Sequence, residues 1–284
     1  MKKIFITGAE GQLGRAFQHE LGRLGVSFIA ANSTTGDITK QKDVERLLET
    51  HQPGILINCA AFNLVDEAEI KRDRAFDVNA AAVGVLANAC KLRGIKLVHY
   101  STDYVFNGQK KALYKEDDPT QPLNVYGASK LEGENLVRTL MGDHLIFRTS
   151  WVYGEGVQNF LYKVTQWAKT NPQIRVASDE ISVPTSTIDL VAGTLKALDQ
   201  GLSGLYHLTN SGYASRYEWA EFYLKAVGSQ TSVMPVPLSY FQPKVARPLF
   251  SAMSNARIAG ELGWIIPRWQ EAVERYVQMN NKQG

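Results

Sequence analysis

The chain has 284 residues, 44% of them apolar and 21% charged, which supports a buried core and excludes a disordered polymer. Its 31 Lys and Arg stand against 28 Asp and Glu, and a net charge of +3 is too small to imply a nucleic-acid partner. The two cysteines, Cys59 and Cys90, exclude a disulfide scaffold and a four-cysteine zinc site.

In chain order, residues 3–7 read as a buried strand, 11–24 as a helix, 27–31 as a strand and 40–51 as a helix, closed by the turn Pro53-Gly54. A third strand is expected at 55–59. An Ala-rich helix over 73–93 follows, ended by Gly94, then a strand at 95–100, a helix at 125–140 and a strand at 144–148. Strands apolar at nearly every position, alternating with helices, predict an α/β fold with a doubly wound parallel sheet of the Rossmann type. After Trp151 the rhythm changes. Helices are expected at 159–170 and 187–198, strands at 173–176 and 204–208, a loop rich in Pro235, Pro237, Pro243 and Pro248, and short helices at 254–262 and 268–280. This predicts a dinucleotide-binding domain over 1–150 and a smaller mixed α/β domain over 151–284, with a soft and discontinuous boundary. Lys2-Lys3 before Ile4-Phe5-Ile6 is too short a pattern for an export signal, and no apolar run reaches membrane length. A cytoplasmic protein with free thiols is expected.

Three patterns carry chemistry. Thr7-Gly8-Ala9-Glu10-Gly11-Gln12-Leu13-Gly14 follows the first strand and opens the first helix, where glycines allow a pyrophosphate to approach backbone N–H groups. The second strand ends in Ala31-Asn32-Ser33 without a carboxylate, leaving room for the 2′-phosphate of NADPH while NADH stays possible; Arg15 and Lys40 could neutralise that phosphate. Tyr126 and Lys130 stand four apart on one helix face, so an ammonium near the phenol is expected to lower its pKa for proton exchange with a carbonyl. The fourth strand runs into Ser101 and Thr102, hydroxyls at a carboxyl strand end where open α/β sheets bind ligands. The five histidines show no metal spacing, and no G-x-S-x-G elbow is present.

The longer strings Asn58-Cys59-Ala60-Ala61-Phe62-Asn63, Tyr100-Ser101-Thr102-Asp103-Tyr104-Val105-Phe106, Tyr126-Gly127-Ala128-Ser129-Lys130, Arg148-Thr149-Ser150-Trp151, Val183-Pro184-Thr185 and Ala246-Arg247-Pro248 extend the match. Together they resemble the dTDP-4-dehydrorhamnose reductases of the extended short-chain dehydrogenase/reductase superfamily, over essentially the whole chain. The resemblance implies NADPH-dependent reduction of the C4 ketone of a dTDP-sugar. It implies Tyr126, Lys130 and Thr102 as catalytic residues. Gly8, Gly11, Gln12, Leu13, Gly14, Asn32, Asp37, Ile38, Ala60, Ala61, Phe62, Asn63 and Tyr100 would join Tyr126 and Lys130 around the cofactor. Thr102, Asp103, Trp151 and Arg247 would meet the sugar nucleotide, with Arg247 on its diphosphate.

Departures lie at Phe62-Asn63, where His or Tyr followed by Thr is common, at Glu10, and at Asn32. Ala16 occupies the place of a carboxylate that bridges a metal in some members, so no metal is expected. The expected partners are a dTDP-sugar, with no nucleic acid and no membrane, acting on a monomer or homodimer. A single carboxylate, Asp103, after Thr102 disfavours a 4,6-dehydratase. The remaining alternatives are a related reductase or 4-epimerase and a non-catalytic NADP-binding subunit like the β subunit of methionine adenosyltransferase.

Overall fold

The computed structural model describes residues 2–281. The N-terminal part alternates β1 (Ile4–Thr7), α1 (Gln12–Arg23), β2 (Phe28–Ala31), α2 (Gln41–His51), β3 (Ile55–Asn58), α3 (Val65–Ile70), α4 (Arg72–Phe76), α5 (Ala82–Arg93), β4 (Lys96–Thr102), α6 (Val125–Leu140) and β5 (His144–Thr149). Then come β6 (Val152–Tyr153), α7 (Phe160–Thr170), β7 (Gln173–Ala177), β8 (Ile181–Ser182), β9 (Thr185–Ser186), α8 (Thr187–Asp199) and β10 (Gly204–His207). The described residues finish with β11 (Ala214–Ser215), α9 (Arg216–Ala226), β12 (Ser232–Val236), α10 (Ala256–Leu262) and α11 (Trp269–Asn281).

Six parallel strands form the main sheet in the order β10-β5-β4-β3-β1-β2. Every residue of β1, β3 and β5 is buried, as required of strands covered on both faces. One face packs Phe17 and Leu21 of α1 with Leu190, Val191 and Leu195 of α8 and Ile258 and Leu262 of α10. The other face packs Val44, Leu47 and Leu48 of α2 with Val83, Leu86 and Cys90 of α5 and Val137 of α6. Both cysteines are free thiols, and burial pushes Cys90 up to about 12. Strand order reverses between β1 and β3, which opens a crevice at their carboxyl ends.

The sheet does not end at residue 150. β10 pairs with β5 from Gly204↔Leu145 to His207↔Arg148, so α8, β10 and α10 return to the first unit. A separate core holds Tyr153, Leu161, Val164, Trp219, Tyr223, Trp269 and Val273 from β6, α7, α9 and α11, beside the β7–β12 pair. Pro235, read as loop, lies inside β12, which pairs on one side only. Proline is tolerated on such an edge because its missing N–H faces away from the partner.

The helix expected over 73–93 is interrupted by a π-helical turn at Asp77–Ala81, and α3 was not foreseen. At the end of β4 a short 3₁₀ turn, Asp103–Val105, is capped by the Thr102 hydroxyl, which accepts from the Tyr104 N–H at 3.2 Å. Among the described residues no helix is long and apolar enough to cross a membrane.

Candidate active site

The glycine loop packs where the topology puts the crevice. Gly8 has φ 66°, and a Cβ there would stand 2.6 Å from the Ala60 nitrogen, so only glycine lets the loops after β1 and β3 touch. Gly14 is buried against the Gly8 carbonyl, which draws α1 onto the loop. Gly11 begins α1 without a side-chain cap, leaving free N–H groups at the helix N-terminus, and Leu13 packs down onto the core. Gln12 leaves its buried Oε1 without a partner, an acceptor that suits a ligand donor, whereas the backbone N–H groups are what suit an anion. These features fit a dinucleotide pyrophosphate. Arg15 donates to the Glu10 carbonyl, while the Glu10 carboxylate accepts from the Asn32 amide at 2.5 Å. Glu10 therefore reaches across to the end of β2. Asp37 spends its carboxylate on the Thr39 backbone and hydroxyl at 3.0 and 2.7 Å, and Ile38 is buried beneath.

The loop after β3 is held by a residue the sequence reading missed. Asn79, buried in the π-helical turn, accepts from the Phe62 N–H at 2.8 Å and donates to the Phe62 carbonyl at 2.9 Å and Ser129 at 3.0 Å. Asn58 likewise accepts from Thr7 at 2.6 Å and from the Ala60 N–H at 3.2 Å, and its amide meets His99 at 3.1 Å. Ala60 and Phe62 are half-buried, and Ala61 and Asn63 are exposed on the crevice loop.

Helix α6 carries the Tyr-Lys pair. Asn124 caps it by accepting from the Gly127 N–H at 2.8 Å, and donates to the Ala246 carbonyl at 2.9 Å. Gly127 sits so close to the Tyr104 carbonyl that a Cβ would collide, so α6 presses Tyr126 against the 3₁₀ turn. The Tyr126 ring meets Tyr104 edge-on at 5.7 Å. Lys130 is buried and donates to the Tyr100 carbonyl at 2.6 Å. Tyr100 itself turns its ring into the core and bonds Thr194 of α8 at 2.6 Å. Burial pushes the Tyr126 phenol up to about 12, against the pull of the neighbouring Thr102 hydroxyl. The expectation of a phenol lowered by Lys130 is not met: burial and the Asp103 charge raise it, and the Lys130 ammonium is engaged by the Tyr100 carbonyl. Burial pushes Lys130 down to about 8, with Glu134 and Cys59 opposing.

The far wall comes from the second unit. Trp151 holds φ 43°, strained for an aromatic residue, and leaves its buried Nε1 without a partner. Its ring stacks on Trp219 at 5.6 Å, and Arg216 lies 3.7 Å above it. Arg247 donates to the Asp66 carboxylate at 2.8 and 2.9 Å, joining the loop after β12 to α3. Asp103 is 2% exposed and accepts from Ser182, Ser251 and Thr102, so its carboxylate faces protein, unlike the sugar contact the resemblance implies. Tyr126, Lys130, Thr102 and Tyr100 are thus gathered at the carboxyl end of β4, with Trp151 at the end of β5. Among the described residues no group of three or more His, Cys, Asp and Glu side chains is placed to hold a metal.

Comparison with known proteins finds relatives along the length of the chain. The sequence profile of the RmlD substrate binding domain family matches residues 1–281. A spore coat polysaccharide biosynthesis protein, SpsK, of Bacillus subtilis is 39% identical over 279 residues, covering 98% of each chain. A dTDP-4-dehydrorhamnose reductase of Burkholderia thailandensis is 36% identical over 288 residues, covering 95% of this chain and 96% of that one. A crystal structure of the dTDP-4-dehydrorhamnose reductase of Bacillus anthracis in complex with NADP superposes with a TM-score of 0.94 at 35% identity, covering 98% and 99% of the two chains.

Proposed function

The chain belongs to the RmlD substrate binding domain family, and from that premise we propose that it reduces the C4 ketone of dTDP-4-dehydro-β-L-rhamnose to dTDP-L-rhamnose with NADPH. The observation that carries this reading is the gathering of Tyr126, Thr102 and Lys130 near a glycine loop whose close backbone packing leaves the N–H groups at the start of α1 without a side-chain cap. The residues fit the cofactor: Gly11, Gln12 and Leu13 would face its pyrophosphate, Asn32, Asp37 and Ile38 its adenosine end, the backbone from Ala60 to Asn63 its middle, and Lys130 with the Tyr100 region its nicotinamide ribose. NADPH supplies a hydride to the sugar carbon when bound. Tyr126 gives its phenolic proton to the oxygen of that carbon. A phenol raised to about 12 is protonated at neutral pH, the state a reduction requires of its acid. Thr102 hydrogen-bonds the same oxygen, Trp151 walls the sugar, and Arg247 clamps the diphosphate. The enzyme works in the cytoplasm as a monomer or homodimer, with the second unit holding the nucleotide sugar.

The test is loss of NADPH absorbance with dTDP-4-dehydrorhamnose generated in situ. Turnover to dTDP-rhamnose supports the reading. NADPH binding without oxidation refutes it and favours a non-catalytic subunit, whereas tightly retained NAD with conversion of a different sugar nucleotide favours an epimerase.

Two further outcomes follow from the geometry. In the free protein Arg247 rests on Asp66, whose side chain is 63% exposed, a contact readily exchanged for a ligand anion. Arg247→Ala is expected to raise KM for the sugar nucleotide about tenfold to a hundredfold, the worth of a charge-assisted hydrogen bond, with kcat within about twofold. Steady-state kinetics reads the split.

Glu10 brings a negative charge to the end of β2, where it disfavours a 2′-phosphate. Glu10→Gln is expected to tighten NADPH relative to NADH by about fivefold, the scale of an exposed charge interaction. Titration of protein fluorescence with each cofactor measures this, and an unchanged ratio would remove Glu10 from cofactor selection.

A further inference from the structure

Asp103 follows Thr102 directly and is buried where the two units of the fold meet. Its Oδ2 accepts from Ser182 at 2.8 Å and from Ser251 at 2.5 Å, while its Oδ1 accepts from Thr102 at 3.1 Å. Ser182 ends β8 and Ser251 lies four residues beyond Arg247; both serines are at most 2% exposed. The backbone ties these two segments together, with the Ile181 N–H donating to Leu249 at 2.7 Å and the Ser251 N–H to Ile181 at 2.9 Å. The strand pair β8–β11 then leads into α9, whose Arg216 stacks on Trp151. One carboxylate thus joins the segment that carries Arg247 to the hydroxyl beside Tyr126.

A buried carboxylate needs donors, and here two of the three come from the distant unit. Three donors on two oxygens fix the carboxylate plane, and the carboxylate together with the Tyr104 N–H holds the Thr102 side chain in one rotamer, from which its hydroxyl turns its proton from Oδ1 to the ketone oxygen when substrate enters. A group held at three points reports displacement of any one of them.

Building on the reductase reading above, we infer that Asp103, Ser182 and Ser251 form a positioning unit that couples seating of the diphosphate-binding segment to placement of Thr102 beside Tyr126. None of the three touches substrate in this account. They act through Thr102. Burial pushes Asp103 up to about 6 while the Ser251, Ser182 and Thr102 hydroxyls and the Arg216 charge oppose it. The other titratable groups facing it are Tyr104 on the same turn and Tyr126 on α6, with Glu180 beyond Tyr104.

The experiment compares wild type with the Ser182→Ala/Ser251→Ala double variant, and with each single variant should the double fail to fold. Expected is a fall in kcat of about tenfold to a hundredfold, the cost of a misplaced catalytic group, with the Kd for NADPH and for dTDP within about twofold. Removing hydroxyls that favour the ionised carboxylate should also move the acid limb of kcat to higher pH. A loss confined to KM or to Tm, or an acid limb that stays in place, would reduce the serines to domain packing and overturn the coupling. Unchanged kinetics in the variant beside an active wild type would overturn the coupling alone. An inactive wild type would overturn the reductase reading and the coupling with it.

Discussion

Tyr126→Phe is expected to lower kcat by about 10²- to 10⁴-fold, the usual worth of a positioned proton donor, while NADPH still binds within about threefold of wild type. The ring would keep its edge-on contact with Tyr104 at 5.7 Å, and the helix cap at Asn124 and the close pass of Gly127 would be untouched. Only the oxygen leaves. The variant should therefore fold with a Tm close to wild type and bind dTDP normally. Single-turnover measurement with saturating cofactor separates this loss of chemistry from a loss of binding. Retention of more than about a tenth of the wild-type rate would assign the proton to another donor, since general acid catalysis is worth at least about a hundredfold.

Glu134→Leu should have the largest effect on stability. Glu134 is completely buried, one turn below Lys130 on α6, and both its carboxylate oxygens accept from Arg148 of β5 at 2.7 to 3.2 Å. Arg148 is 2% exposed and also lies 5.2 Å over the Phe106 ring. Removing the carboxylate strands a guanidinium in a low-dielectric interior, a cost of about 3–5 kcal/mol. For a chain of this size that lowers Tm by on the order of 10 °C. A Glu134→Leu/Arg148→Met double variant should recover much of the loss, because it strands no charge.

The same substitution acts on the site. Glu134 opposes the burial that lowers Lys130 to about 8. Without Glu134, Lys130 should lose its proton at a still lower pH. The charged form is the one favoured by the carboxylate, so the alkaline limb of cofactor binding should move toward neutrality. Calorimetry and the pH dependence of NADPH binding measure the two consequences separately.

What could be read in advance was what local spacing encodes. The glycine loop, the Tyr126–Lys130 interval and the hydroxyls ending β4 are short patterns whose chemistry depends on neighbours within a turn or two. Asn79 was hidden for the opposite reason. Val78-Asn79-Ala80-Ala81-Ala82 reads as unbroken helix, and the π-helical turn forms where the Asn79 side chain clasps Phe62, seventeen residues earlier.

Ser182 and Ser251 carried no signal either, because their partner lies 79 and 148 residues away. The strand at 204–207 was foreseen as a strand, but period alone does not say which sheet receives it; the parallel pairing with β5 does. Asp103 was legible as a carboxylate next to Thr102, yet only the fold reveals that it faces the second unit's serines.

Isotope transfer follows the hydride and the proton to their destinations on the sugar. With NADPH deuterated at nicotinamide C4 and dTDP-4-dehydrorhamnose as substrate, the expected product is dTDP-rhamnose carrying deuterium at sugar C4, formed at a rate that collapses in Tyr126→Phe. Label-free product, label at another carbon, or undiminished transfer by the phenylalanine variant would contradict the proposed reduction.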